Sequence, residues 1–271
     1  MKLTRLTDSP ILNPIEKNNW EKAAVFNAAA VYHNEKFHMI YRSTDIGGDD
    51  KYGPYINSLG YTTSRDLIHW ERNKEPILRN DVPQELRGPE DPRIVELDGT
   101  FYMTYTGFGN RFPDDYRICL ASSNDLVHWK RHGVVLDEPN KNSSLFPEKI
   151  GGRYCMFHRR HPDIWICYSD DLVNWTDHQM VMSPLPGTWN KTRIGIAGPP
   201  VKLNDGWFLI FHGVDEHNHY RLGAVLLDYE DPTKILARQA EPIIEPELEW
   251  EINGYIPNVI FSCATILKDN R

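Results

Sequence analysis

One phrase occurs three times in this chain and restricts its fold more than any other feature. Ser64-Arg65-Asp66-Leu67-Ile68-His69-Trp70 returns as Ser123-Asn124-Asp125-Leu126-Val127-His128-Trp129, and again as Ser169-Asp170-Asp171-Leu172-Val173-Asn174-Trp175. Each copy follows a short strand-like run: Leu59–Thr62, Ile118–Ala121 and Ile164–Tyr168. The pattern reads as a strand, a turn built on Ser, Asn and Asp, and a Trp that packs back. An aromatic-rich returning strand precedes each phrase: Lys36–Tyr41, Thr100–Tyr105 and Arg153–Phe157; a fourth such strand, Trp207–Phe211, has no following copy. Leading strands are expected from near Asn27, Asp91, Phe146 and Pro199, with a fifth, Ile256–Phe261, near Asn258. A closing element ends each unit: Pro76–Leu78, Val134–Leu136, Met180–Met182 and Pro242–Ile244.

Four strands per unit and five units describe an all-β, five-bladed β-propeller. Residues 1–271 are expected to form this single catalytic domain, with Pro10-Ile11-Leu12 as the outer strand that closes the last blade. The fifth unit lacks its two middle strands. By the repeat period, roughly 40–50 residues of a complete ring are expected to be missing from this chain.

Antiparallel pairing places the end of each returning strand at the rim where its leading strand begins. Counting then pairs Asn27 with Arg42, Asp91 with Thr106, Phe146 with Arg159, and Pro199 with His212. Propellers bind ligands at that rim. One carboxylate would face several cations there, in a chain of net charge −8. That overall charge, with no long basic run, argues against nucleic acid as a partner. No apolar stretch reaches the length of a membrane-spanning helix, and Met1–Pro14 has no signal-like apolar core, so a cytoplasmic protein is expected. Cys119, Cys155, Cys167 and Cys263 lack CxxC spacing and are expected as buried thiols. His158 and His161 flank Arg159-Arg160, and His217 and His219 sit in a polar loop. Around Arg159-Arg160 there is no HxH or HExxH ligand spacing, and the polar His217–His219 loop is expected to be exposed, so no metal is expected.

The sharpest local signal is Arg87-Gly88-Pro89-Glu90-Asp91-Pro92-Arg93. Neighbouring acids alternate sides of a strand. One of Glu90 and Asp91 should therefore face the ligand and the other the blade interior or Arg93.

This segment, followed by Met103-Thr104-Tyr105-Thr106, resembles glycoside hydrolase family 130, the β-mannoside phosphorylases and related β-mannosidases. The similarity extends through Phe26-Asn27-Ala28-Ala29, Tyr41-Arg42, Lys141-Asn142, Leu145–Lys149, Phe157-His158-Arg159, Phe211-His212-Gly213, Tyr220–Gly223 and Asn253–Asn258. The resemblance implies a five-bladed propeller with Asp91 as general acid, and with Asn27 and Arg42 holding the mannosyl unit. It implies Lys141, Arg159, His212 and Tyr220 as the phosphate-binding set. A sugar-binding Asp that the family carries on a later strand has no counterpart here.

A direct inverting hydrolase needs a second carboxylate to activate water. A phosphorylase instead needs cations that hold a phosphate anion. The basic set therefore favours inverting phosphorolysis of a β-mannoside oligosaccharide to α-mannose 1-phosphate and a shortened acceptor. Phosphate would be the co-substrate, with no cofactor. The alternatives are a β-mannosidase and a non-catalytic sugar-binding propeller. Asn140–Lys149 and Phe157–Trp165 look most like the branch acting on β-1,2-mannobiose and β-1,2-oligomannan. Acceptor preference should lie in rim loops such as Asp45–Tyr55 and Thr188–Arg193, with Arg193 on phosphate, on acceptor, or purely structural. Family resemblance and an open last blade both favour a homo-oligomer.

Overall fold

The computed structural model describes residues 1–46 and 55–269. They divide into two compact units. One comprises Ser9–Lys141, the other Met1–Asp8 with Asn142–Arg271.

The Ser9–Lys141 unit contains two four-stranded sheets in chain order. The first is β1 (Ala24–His33), β2 (Lys36–Thr44), β3 (Asn57–Ser64) and β4 (Glu71–Arg72). The second is β5 (Gly88–Leu97), β6 (Thr100–Phe108), β7 (Tyr116–Ser123) and β8 (Lys130–Leu136). Their core gathers Ile40, Leu59, Ile94, Met103, Tyr105 and Leu126, all buried.

The other unit holds a sheet of β9 (Lys141–Leu145), β10 (Tyr154–Arg160), β11 (Asp163–Ser169) and β12 (Thr176–Met182). Its second sheet runs β13 (Arg193–Ile196), β15 (Trp207–Val214), β16 (Tyr220–Leu227) and β17 (Ile235–Arg238), with β14 (Val201–Lys202) also on β15. Phe146, Phe157, Ile166, Trp207 and Phe211 fill its main core.

The repeated phrase is a capped turn. Ser64 Oγ accepts from the backbone amides of Asp66 and Leu67, and Asp66 Oδ1 accepts from those of Ile68 and His69. Leu67 adopts φ +68°, and the Trp70 indole donates back to the Leu67 carbonyl at 3.0 Å. The second copy repeats every one of these contacts. In the third, Asn174 donates to Asp171 at the place where His69 and His128 sit against their aspartates. The Ser and Asp spacing is thus set by the backbone donors that a tight turn leaves over.

The fold is of the all-β propeller class expected, but the blade count is not. Four blade-like sheets form among the described residues, not five. The segment expected as a fifth leading strand adds to an existing edge: Tyr220 donates to the Asn258 carbonyl, and Ile260 donates to the Tyr220 carbonyl, in parallel. Its backbone groups are thereby used without a hairpin of its own. Pro10–Leu12 is not a strand. Pro10 has no N–H to give a ladder. Val134–Leu136 and Met180–Met182 end outer strands as expected. Leu78 and Ile244 make only single bridges, to Leu59 and Leu222.

The four cysteines are buried, and none is in a disulfide among the described residues. No helix among the described residues is long and apolar enough to cross a membrane. Most of the Asp45–Tyr55 loop lies outside the described residues.

Candidate functional site

Two bulges at equivalent places build the acidic part of the site. The β1–β2 register slips between Phe26 and Ala29, and the β5–β6 register slips between Glu90 and Arg93. Each slip carries one residue in the left-handed region, Asn27 at φ +49° and Asp91 at φ +51°. A non-glycine residue there costs on the order of 1–3 kcal/mol and persists only where its surroundings enforce it. Gly88 opens the same segment at φ +93°, where a Cβ would lie 2.0 Å from the Asn57 carbonyl oxygen. Only glycine lets β5 approach the start of β3 so closely.

The bulges converge on one carboxylate. Asn27 Nδ2 donates to Asp91 Oδ1 at 2.8 Å, and Arg42 Nη1 donates to the same oxygen at 3.1 Å. Arg42 Nη2 donates to Glu90 Oε1 at 2.9 Å, and its Nε donates to Asn57 Oδ1 at 3.0 Å. Glu90, 1% exposed, also accepts from Asn57 Nδ2 at 2.8 Å and from Lys141 Nζ at 3.2 Å. Arg93 Nη1 donates to the Asp91 backbone carbonyl at 3.0 Å. Alternation along a straight strand would send Glu90 and Asp91 to opposite sides. The bulge turns both toward Arg42, which corrects the sequence expectation.

Burial alone would raise the Asp91 pKa. The Arg42 guanidinium, the Asn27 amide and the Lys141 and Arg93 charges outweigh it and hold the carboxyl below the usual range. Arg42 loses water too, but Glu90 and Asp91 keep it firmly cationic.

The other unit carries a second group of candidates. His212 on β15 is fully buried and lies opposite Gly195 of β13. A Cβ on Gly195 would meet His212 Cε1 at 2.5 Å and Asn142 Nδ2 at 2.8 Å, so glycine makes room for both side chains. The His212 ring stacks on Tyr220 with centroids 5.9 Å apart. Arg193 Nη2 donates to the Tyr220 hydroxyl at 2.7 Å, which ties down the Thr188–Arg193 loop. Burial, then Arg159 and Arg193, push the His161 pKa down, so both guanidinium groups act on that ring.

Register corrects all four pairings expected from counting: Arg42 faces Phe26 and Thr106 faces Glu90, each one residue before the bulged Asn27 and Asp91. His212 pairs with Gly195, not Pro199, because β13 starts the sheet six residues before Pro199. Phe146 donates its amide to Cys155, not to a position beside Arg159. Antiparallel counting from that bond carries Arg159 toward the start of β9. Phe146 is a core residue, with its ring 4.7 Å from that of Phe157.

Of the candidates, Asn27, Arg42 and Asp91 meet directly, and Lys141 joins them through Glu90. His212 and Tyr220 meet in the other unit, where Arg159 also belongs. Sequence reasoning missed the central place of Glu90 and Asn57. The adjacent acids were visible, but the bulge that unites them depends on the facing strand.

The chain is similar along its whole length to known proteins. The chain is 62% identical to the 1,2-beta-oligomannan phosphorylase of Thermoanaerobacter sp. (strain X514), over all of this chain and 91% of the relative. It is 55% identical to the Beta-1,2-mannobiose phosphorylase of the same organism, over 98% of this chain and 90% of the relative. The solved Beta-1,2-Mannobiose phosphorylase from Listeria innocua, in complex with beta-1,2-mannobiose, shares the fold. Its TM-score is 0.84 at 24% identity, over 91% of this chain and 84% of that one. A family described as beta-1,4-mannooligosaccharide phosphorylase matches residues 2–271, and the chain belongs to it, glycoside hydrolase family 130.

Proposed function

We propose that the protein catalyses inverting phosphorolysis of β-1,2-linked mannosides, releasing α-mannose 1-phosphate and a shortened acceptor. The observation that carries phosphorolysis over hydrolysis is the state of Glu90. This second carboxylate, next in sequence to Asp91, is fully engaged by Arg42, Asn57 and Lys141. A carboxylate so occupied is a poor base for water, whereas phosphate needs no base. Whole-chain identity to two phosphorylases named for β-1,2 linkages supports both the reaction and the linkage.

In this reading Asp91 is the general acid that assists departure of the acceptor oxygen. Asn27 and Arg42 hold the mannosyl unit and fix the Asp91 carboxylate. Lys141, Arg159, His212 and Tyr220 bind phosphate: Arg159 through a planar fork of donors, Lys141 as a point charge, His212 and Tyr220 through directional hydrogen bonds. Arg193, bonded to the Tyr220 hydroxyl, orients that phenol. Phosphate enters as co-substrate, and no cofactor takes part.

The test is incubation with β-1,2-mannobiose, with and without phosphate, with the product anomer read by NMR. α-Mannose 1-phosphate formed only with phosphate is the expected result. Equal mannose release without phosphate would make the protein a β-mannosidase. Sugar binding without turnover would make it a binding module.

A further inference from the structure

One side-chain cluster lies outside the chemistry described so far. His158, Cys167 and His178 stand on the adjacent strands β10, β11 and β12, and their ligand atoms all lie within 4.8 Å of one another. Strand geometry explains the convergence. Met156 is opposite Cys167, and His158 lies two residues further along β10, on the same face as Met156. The neighbouring residues Phe157 and Ile166 point the other way, into the core. His178 comes from the register irregularity between Ile166 and Tyr168 in the β11–β12 pairing. Three donors from distant sequence positions thus share one face of one sheet.

The donor set has a chemical meaning. Two imidazoles and a thiol suit zinc and similar borderline-soft divalent ions, and not calcium or magnesium. His158 Nε2 and His178 Nδ1 share a hydrogen bond at 3.0 Å, which an ion bound to both nitrogens would replace. Tetrahedral zinc with ordinary bond lengths separates two nitrogens by about 3.3 Å and a nitrogen from a sulfur by about 3.6 Å. The imidazole pair is therefore already near the required spacing, and the sulfur has to close in by about 1.2 Å at most. The rings stand at 89° to each other with centroids 5.0 Å apart, so each can aim its nitrogen at a common point. His158 and Cys167 are fully buried and His178 is half-buried, which gives an ion one side of access.

We propose that His158, Cys167 and His178 form a structural binding site for a zinc-like divalent ion, with the fourth position left to water. Binding deprotonates Cys167, so one proton leaves as the metal–sulfur bond forms. The ion would clamp β10, β11 and β12 together. His158 precedes Arg159, so the clamp would also steady the strand that carries that cation.

The test uses the full chain, stripped with a chelator and titrated with cobalt(II). One equivalent should give the visible bands of tetrahedral cobalt and a near-ultraviolet thiolate-to-cobalt band. Zinc should displace the cobalt and raise Tm. Cys167→Ser should abolish the thiolate band, and His178→Gln, at a half-buried position that tolerates polar replacement, should weaken binding at least tenfold. Absence of the bands in the folded wild-type protein would overturn the proposal. So would bands that survive both substitutions, since the ion would then sit elsewhere. A Cys167→Ser protein that fails to fold leaves the His178→Gln titration to decide.

Discussion

Asn27 donates its side-chain amide to the Asp91 carboxylate across 2.8 Å, although 64 residues separate them in the chain. Each sits at the bulge of the leading strand of its sheet, and each has a positive φ. The repeat has thus kept one backbone distortion and given it two side chains, an amide and an acid. The amide orients the acid, and Arg42 fixes its charge.

Asp91→Asn should lower mannose 1-phosphate formation by about 10²–10⁴-fold, the usual contribution of a positioned proton donor. Far-ultraviolet circular dichroism should match the wild type, since the amide retains an oxygen for Asn27 and Arg42. Activity within a few-fold of wild type would remove Asp91 from the mechanism.

Glu90→Ala should destabilise the protein by about 3–5 kcal/mol, because it leaves Arg42 and Lys141 without their shared buried carboxylate. Urea unfolding at neutral pH measures this. A loss under about 1 kcal/mol would mean that water replaces the carboxylate there.

The rate should depend on pH through phosphate. Asp91 is held below the ordinary carboxyl range, so it is ionised in the free protein around neutrality. The active complex, with Asp91 protonated for the leaving oxygen and phosphate as dianion, then has the same proton content as ionised Asp91 with phosphate monoanion. Its proton therefore enters with the monoanion and passes to Asp91. kcat/KM for phosphate should be flat below the second ionisation of phosphate and fall about tenfold per pH unit above it. A value that keeps rising through that ionisation would contradict this proton inventory.

Asp215 should shape acid stability. Burial would raise its pKa, but Arg221 and the backbone amides of His219 and His217 outweigh this and bring it down to about 2. A carboxyl lower in the folded than in the unfolded state stabilises above its unfolded value. That contribution is lost as pH falls from about 4 toward 2. Denaturant unfolding across that window should show a shallower acid loss in Asp215→Asn than in wild type. Superimposable profiles would assign the acid limb to other carboxylates.

The repeated turns were legible because their determinants are local. Ser and Asp satisfy backbone donors within seven residues in all three copies, joined by the Trp indole in the first two, so each copy reports its turn wherever it occurs. Returning strands and the Asn27–Arg42–Asp91 group followed from repeat spacing. The fifth blade did not, because a strand-like segment such as Ile256–Phe261 can add to a standing edge as readily as start a new sheet.

Amino-acid order alone settled the all-β repeat, the turns and the acid with its Asn and Arg partners, since short-range hydrogen bonding and period-two burial act within each unit. Tertiary structure decided the rest. Register and bulges depend on the facing strand, and they turned Glu90 toward Arg42 and Lys141. They also set His212 against Gly195, and gathered His158, Cys167 and His178 on one face. A one-residue slip in pairing reverses every side chain, and no stretch of sequence read alone contains the strand that sets it.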